Sequence, residues 1–247
     1  MEQKKENEKV TLQEFEKNVQ FVKDQIKYKG LADENTDKEI EKIINSTSAK
    51  NTYVVKDKVE ANFGNKAEFE LNFNRSEKDG RLFFNGFKAS LTNKDGEKKE
   101  QYIQNKFGGI TAKEAVNLLE GRSVLAKMKS KAGKDYEAFV SLNKKGEKTA
   151  SGNNKLDLVF ANRVNVNNTV VMSKLKFDND KRKEQTIKSL EKGNITNVTF
   201  DNGKKGMAVL NPYENKLNLY DNKMQRLDFK ETLSQDNSLE KSKGVKL

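Results

Sequence analysis

An α+β fold is predicted by three features of the sequence. Apolar residues recur at helical spacing over residues 11 to 46, alternate with polar ones from Tyr53 to about Phe107, and then fall into short strand patterns behind two further helices. The implied architecture is an N-terminal helical hairpin, a central antiparallel sheet, and two related helix-plus-β-hairpin lobes.

Thr11 and Glu14 form a T-x-x-E capping box, and Phe15, Val19, Val22 and Ile26 follow as one apolar stripe that runs to Gly30. Thr36 with Glu39 repeats the box, and Ile40, Ile43 and Ile44 give a second, shorter helix its apolar side. Residues 1–50 are read as this hairpin, and both helices need a surface to pack on. Residues 51–107 form the meander. Phe69, Leu71 and Phe73 alternate with Glu68, Glu70 and Asn72, RSEKDG turns the chain into a strand from Arg81 to Leu91, and TNKDGEKKE leads to a third strand around Gln101 to Lys106.

The first lobe, residues 108–165, opens on GGITAKEAVNLLEG. Thr111 is the expected N-cap with Glu114 three residues on, Ala115, Leu118 and Leu119 face inward, and Gly121 ends the helix. A strand to Met128, the turn KSKAGK and a strand from Tyr136 to Leu142 follow. The second lobe, residues 166–233, has a helix from Lys181 to Lys192, Gly193, a strand from Ile195 to Phe200, the turn DNGKKG and a strand from Met207 to Leu210. KEAVNLLEG and KEQTIKSLEKG both precede a Lys-rich hairpin and then NKLDL or NKLNL, a pattern that suggests an internal duplication. Residues 234–247 are polar and are read as a flexible tail.

Composition narrows the chemistry. The 247 residues include no cysteine and no histidine, so thiolate catalysis, disulfides, the commonest general base and the commonest metal ligand are all missing. No cofactor, small-molecule substrate or enzymatic activity is expected. DENTDK at Asp33 imitates a calcium loop but has Lys38 where glycine is wanted and Ile44 where glutamate is needed. MEQKKENEKV carries no apolar core and no later run is long enough to span a bilayer, so a cytoplasmic protein without membrane contact is expected.

The net charge of +11 attracts polyanions. Residues 1–50 hold 10 basic and 11 acidic residues, 51–150 hold 20 and 14, and 151–247 hold 18 and 12, so the excess lies after residue 50. Within it, Lys127, Lys129 and Lys131 fall at alternate positions of one strand and share a face, flanked by Arg122 and Lys134 with no acid between. That row reads either as a nucleic-acid contact or as a solvated edge strand that uses lysine against aggregation. Lys181, Arg182 and Lys183 oppose the macrodipole in the first turn of their helix, and Lys204 and Lys205 stand in the equivalent hairpin of the second lobe.

Phe83, Phe84, Phe87 and Tyr102 are the aromatic candidates for base stacking. Phe83 and Phe87 share a parity with Ala89 and Leu91 and are expected in the core, with Phe84 and Leu82 on the other face. Gly108 and Gly109 before a helix suggest a phosphate loop, but the Lys and Ser/Thr of a Walker motif are missing and Glu114 already serves the helix start, so a plain capping box is the expectation. The stripe Phe15, Val19, Val22 and Ile26 is the natural anchor if the nearly neutral N-terminal hairpin docks a protein.

The series FFNGFKASLTNKDGEKKEQYI, GGITAKEAVNLLEGRSV, YEAFVSL, KRKEQTIKSLEKGNITNVTF and LNLYDNKMQRL resembles a domain family of unknown function from conjugative and other mobile elements of Bacteroidota, over residues 69 to 229. The resemblance implies a protein of a mobile element or phage and carries no catalytic motif. The chain is also similar to an inhibitor of an RNA-targeting, type VI-B CRISPR effector. This implies a CRISPR effector nuclease, its guide RNA, or both as partners. The alternative is a basic DNA- or RNA-binding accessory of conjugative transfer or replication. A third is an interaction protein whose lysines only keep it soluble.

Overall fold

A computed structural model describes residues 11–56, 58–105, 109–130 and 132–234. All of the expected tail except Ser234 therefore lies outside the described residues. Contacts divide the chain into two compact units: the first reaches Glu120 and takes in Thr149–Asn153, and the second begins at Gly121.

In the first unit, α1 (Leu12–Tyr28) starts as the capping box requires: the Thr11 hydroxyl accepts the Glu14 amide, and the Glu14 carboxylate accepts the Thr11 amide at 3.0 Å. Asn18 docks this helix by bonding both backbone groups of Leu82, at 3.0 and 2.8 Å. Val22 and Ile26 are 1% and 0% exposed, so the inner half of the expected partner stripe is core and cannot meet a partner in this fold. Phe15 and Val19 are half-buried. The second box does not form. Helix α2 (Thr36–Asn45) has Asn35 as N-cap, and the Thr36 hydroxyl turns back to the Asp33 carboxylate, which also accepts the Tyr53 hydroxyl.

Four strands, β1 (Lys50–Lys56), β2 (Lys66–Arg75), β3 (Leu82–Thr92) and β4 (Lys98–Gln104), pair antiparallel in sequence order. Phe69, Leu71 and Phe73 are buried as the alternation predicts. The parity of β3 differs from expectation. Leu82, Phe84, Phe87, Ala89 and Leu91 are all buried, whereas Phe83 is 49% exposed. The cause is a bulge: Asn72 pairs with Gly86 but Phe73 pairs with Phe84, so Asn85 is inserted and every side chain before it changes face. Gly86 has φ 140°, and a Cβ there would stand 2.1 Å from the Ile103 carbonyl oxygen. Helix α3 (Ala112–Leu119) forms with Thr111 as N-cap and Glu114 closing the box, and it packs on β3 and β4.

The second unit holds two antiparallel sheets. One is β5 (Val124–Lys129), β6 (Asp135–Leu142) and β7 (Leu156–Phe160), in that order. Next come α4 (Val166–Met172) and α5 (Asp180–Glu191). The other sheet is β8 (Thr196–Thr199), β9 (Lys205–Asn211), β10 (Lys216–Tyr220) and β11 (Arg226–Leu227), ordered 11-10-9-8. Phe139 of β6, Val170 of α4, Leu190 of α5 and Phe200, Ala208 and Leu219 of the second sheet share one core.

Helix followed by antiparallel meander does occur twice along the chain, but not as two self-contained lobes. Helix α3 packs in the first unit, whereas α5 packs on its own β8 and β9. The described C-terminal end is also fixed: Leu233 is 7% exposed, and the Ser234 amide and hydroxyl both bond the Asp201 carboxylate at 2.8 Å.

Candidate nucleic-acid interface

The candidate basic residues of the second unit fall in three places. Arg122 is 8% exposed and donates from Nε to the Gly193 carbonyl at 2.6 Å. It is a structural residue, and its place among the nucleic-acid candidates is corrected accordingly.

Lys127 and Lys129 are exposed on one face of β5, as alternation predicts, while Val124 and Ala126 are buried on the other. What the linear reading missed lies across the hairpin. Lys127 stands opposite Glu137 and Lys129 opposite Asp135, and Lys129 Nζ reaches the Asp135 carboxylate at 2.8 Å. The row is thus a ladder of opposite charges that relieves its own repulsion. Lys131 lies outside the described residues. Lys134 is exposed in the turn, with its backbone amide and carbonyl both bonded to Ser130.

The third environment is concave. An opening of about 590 Å³ is lined by Lys176, Phe177, Arg182, Thr186 and Lys205, with Asp178, Asn197 and Thr199 among its other walls. Its cations come from separate segments. Lys176 is held beside β8 by an isolated bridge to Thr199, Arg182 lies in the first turn of α5, and Lys205 begins β9. Among the described residues, no hydrogen bond or ion pair engages the side chain of any of the three. Asn179 caps α5 by accepting the Arg182 amide at 2.9 Å, which fixes the backbone from which that guanidinium extends. Of its lining, Val198 belongs to the core of the unit and Phe177 packs against that core.

This arrangement suits phosphate oxygens: cations for the charge, with the Thr186 and Thr199 hydroxyls and the Asn197 amide as polar neighbours. Lys181 and Lys204 are exposed near the same elements and Lys183 is half-buried. Lys176 was not found by reading charge runs, although the alternation Leu175, Lys176, Phe177 carries the signal of a short strand with one outward cation.

Glu191, at the far end of α5, is pushed above the usual carboxylate range by burial and then by the Glu137 charge. The charge ladder of β5 and β6 is therefore near the C-terminal end of α5 and the basic opening is at its N-terminal end, about 14 Å along the helix axis.

Of the aromatic candidates, Phe84 and Phe87 are core, Tyr102 is half-buried with its hydroxyl pKa raised by burial, and Phe83 alone is open to solvent. No helix among the described residues is long and apolar enough to cross a membrane. Compared with protein-family models, with curated proteins and with solved structures, the chain matches none.

Proposed function

We propose that this chain is a non-catalytic mobile-element or phage protein that inhibits an RNA-guided, RNA-targeting CRISPR nuclease of type VI-B, acting through the basic opening of its second unit on the effector's RNA. One observation carries the reading: Lys176, Arg182 and Lys205, from three segments, surround one opening of about 590 Å³, and among the described residues their charges have no protein partner. A chain without cysteine or histidine, whose excess positive charge lies after residue 50, supports a binding role over a catalytic one.

The test is co-purification of the tagged chain with the effector, with and without guide RNA, together with RNA cleavage at increasing inhibitor. A complex is expected with the guide-loaded effector, and Arg182→Glu with Lys205→Glu weakens both complex and inhibition. Absence of a complex in both states overturns the proposal.

The same opening supports a second reading, a nucleic-acid-binding accessory of conjugative transfer or replication, because nothing in its chemistry requires an effector. That reading predicts tight, salt-steep binding to bare RNA or DNA without any effector present.

A further inference from the structure

The first unit contains a buried lysine that no counter-charge among the described residues contacts. Lys29 closes α1 as its C-cap and is 3% exposed, yet among the described residues its Nζ makes no hydrogen bond and no ion pair. Its Nζ lies 5.9 Å from the centroid of the Tyr28 ring. A buried ammonium without a partner is costly unless something else compensates it.

Lys29 lines an opening of about 410 Å³ together with Tyr28, Lys58, Glu60, Thr111 and Lys113. Thr111 is the N-cap of α3, so the positive end of that helix meets the same space. The two helix ends are joined here: the Lys29 carbonyl accepts the Ala112 amide at 2.9 Å. Of the first-turn amides of α3, Ala112 is used by Lys29, Glu114 by the Thr111 hydroxyl, and Ala115 by the Thr111 carbonyl. The Lys113 amide has no acceptor among the described residues. The Lys113 ammonium is pinned at the rim by the Glu60 carbonyl at 2.7 Å. Among the described lining residues, Lys29, Lys58 and Lys113 stand against one carboxylate, Glu60.

We propose that this opening is a binding site for a phosphate-class oxyanion, received by the Lys29 ammonium, the free Lys113 amide and the positive end of α3. The capping box does not oppose this. Glu114 satisfies the Thr111 amide and hydroxyl at 2.8 and 2.9 Å, and leaves the Lys113 amide for a ligand. Burial holds the Lys29 ammonium below the ordinary lysine value, with Glu114 pulling the other way, and an anion in contact would favour its charged form further. The opening exceeds what a bare phosphate fills and is open enough to take an ester substituent, so a phosphate monoester of a small molecule or of a nucleic-acid end fits the same chemistry. This inference is independent of the reading of the second unit.

The test is site-resolved NMR of the lysine side chains in the full chain, titrated at constant ionic strength with inorganic phosphate, adenosine monophosphate, and a short RNA bearing a 5′-phosphate or a 5′-hydroxyl. A saturable shift at Lys29 is expected with phosphate and with the monoester. Preference for the 5′-phosphorylated RNA over the hydroxyl form identifies a chain end as the source, whereas tighter binding of adenosine monophosphate identifies a free small molecule. Lys29→Met is expected to weaken binding about tenfold or more, and Lys113→Met, which keeps the amide but removes the positive charge at the rim, about threefold. If Lys29→Met fails to fold, Lys113→Met with the Lys29 signal as readout decides. No saturable Lys29 shift with any of these anions, or affinities unchanged in the folded variants, overturns the proposal.

Discussion

The Nε of Arg122 donates to the carbonyl of Gly193 at 2.6 Å, tying the segment before β5 to the end of α5. Gly193 has φ 73°, and a Cβ on it would lie 2.5 Å from the Ser123 carbonyl oxygen. The two residues therefore form one close backbone approach. Arg122→Met is expected to cost about 1.5–3 kcal/mol of stability by leaving a buried carbonyl without a charged donor. Gly193→Ala costs a further kind of strain, about 1–3 kcal/mol. Denaturant melts give both values, and RNA affinity of the folded Arg122 variant stays at the parent level.

The basic opening and the charge ladder respond differently to charge reversal. Arg182→Glu with Lys205→Glu lowers RNA affinity on the order of tenfold or more and flattens the salt dependence by about one unit of slope per lost phosphate contact. Lys127→Glu with Lys129→Glu instead sets acid against Glu137 and Asp135 across the hairpin. Its main effect is a melting temperature lower by about 1–4 °C. Binding isotherms at several salt concentrations beside thermal melts separate the two.

Gly86→Ala places a methyl group 2.1 Å from the Ile103 carbonyl oxygen at φ 140°. The bulge cannot persist with it, and removing the bulge would turn Leu82 and Phe84 out of the core. A loss of at least about 2 kcal/mol is expected from chemical denaturation, among the larger effects available to a single substitution.

Glu191 sets a pH dependence whose sign follows from its raised carboxyl pKa. Burial, and next the Glu137 charge, lift it in the fold above the ordinary 4.5. Its contribution is therefore fully present below that ordinary value and is lost as pH rises through the folded one. Glu191→Gln melts higher than the parent at pH 7, and the gap closes as pH falls toward 4.

Much of the fold was legible because period and caps agree. The Thr11 and Thr111 boxes, the alternation of β2 and the glycine after α5 each rest on residues within a few positions of one another. What escaped was set at longer range. The parity of β3 depends on a bulge, and the only sign of it in the sequence is Gly86 inside a strand. Helix α4 was missed because VNNTVVM is Asn-rich and β-branched; Asn165 caps it by accepting the Asn168 amide at 2.8 Å, and burial of Val166, Thr169 and Val170 supplies the rest. The candidate site was legible residue by residue for Arg182 and Lys205. The neutralisation of Lys127 and Lys129 was not, because Asp135 and Glu137 follow them in sequence and meet them only once the hairpin closes.

Helix α5 begins with Asp180, then sets Lys181, Arg182 and Lys183 against its own dipole. In the free protein that first turn is held by the Asn179 cap while like charges push outward. Any polyanion seated there removes the repulsion, and the energy released appears as added folding stability. On the proposed reading, anion occupancy and the integrity of the second unit are thermodynamically linked, and adding RNA to the nucleic-acid-free protein is expected to raise its melting point.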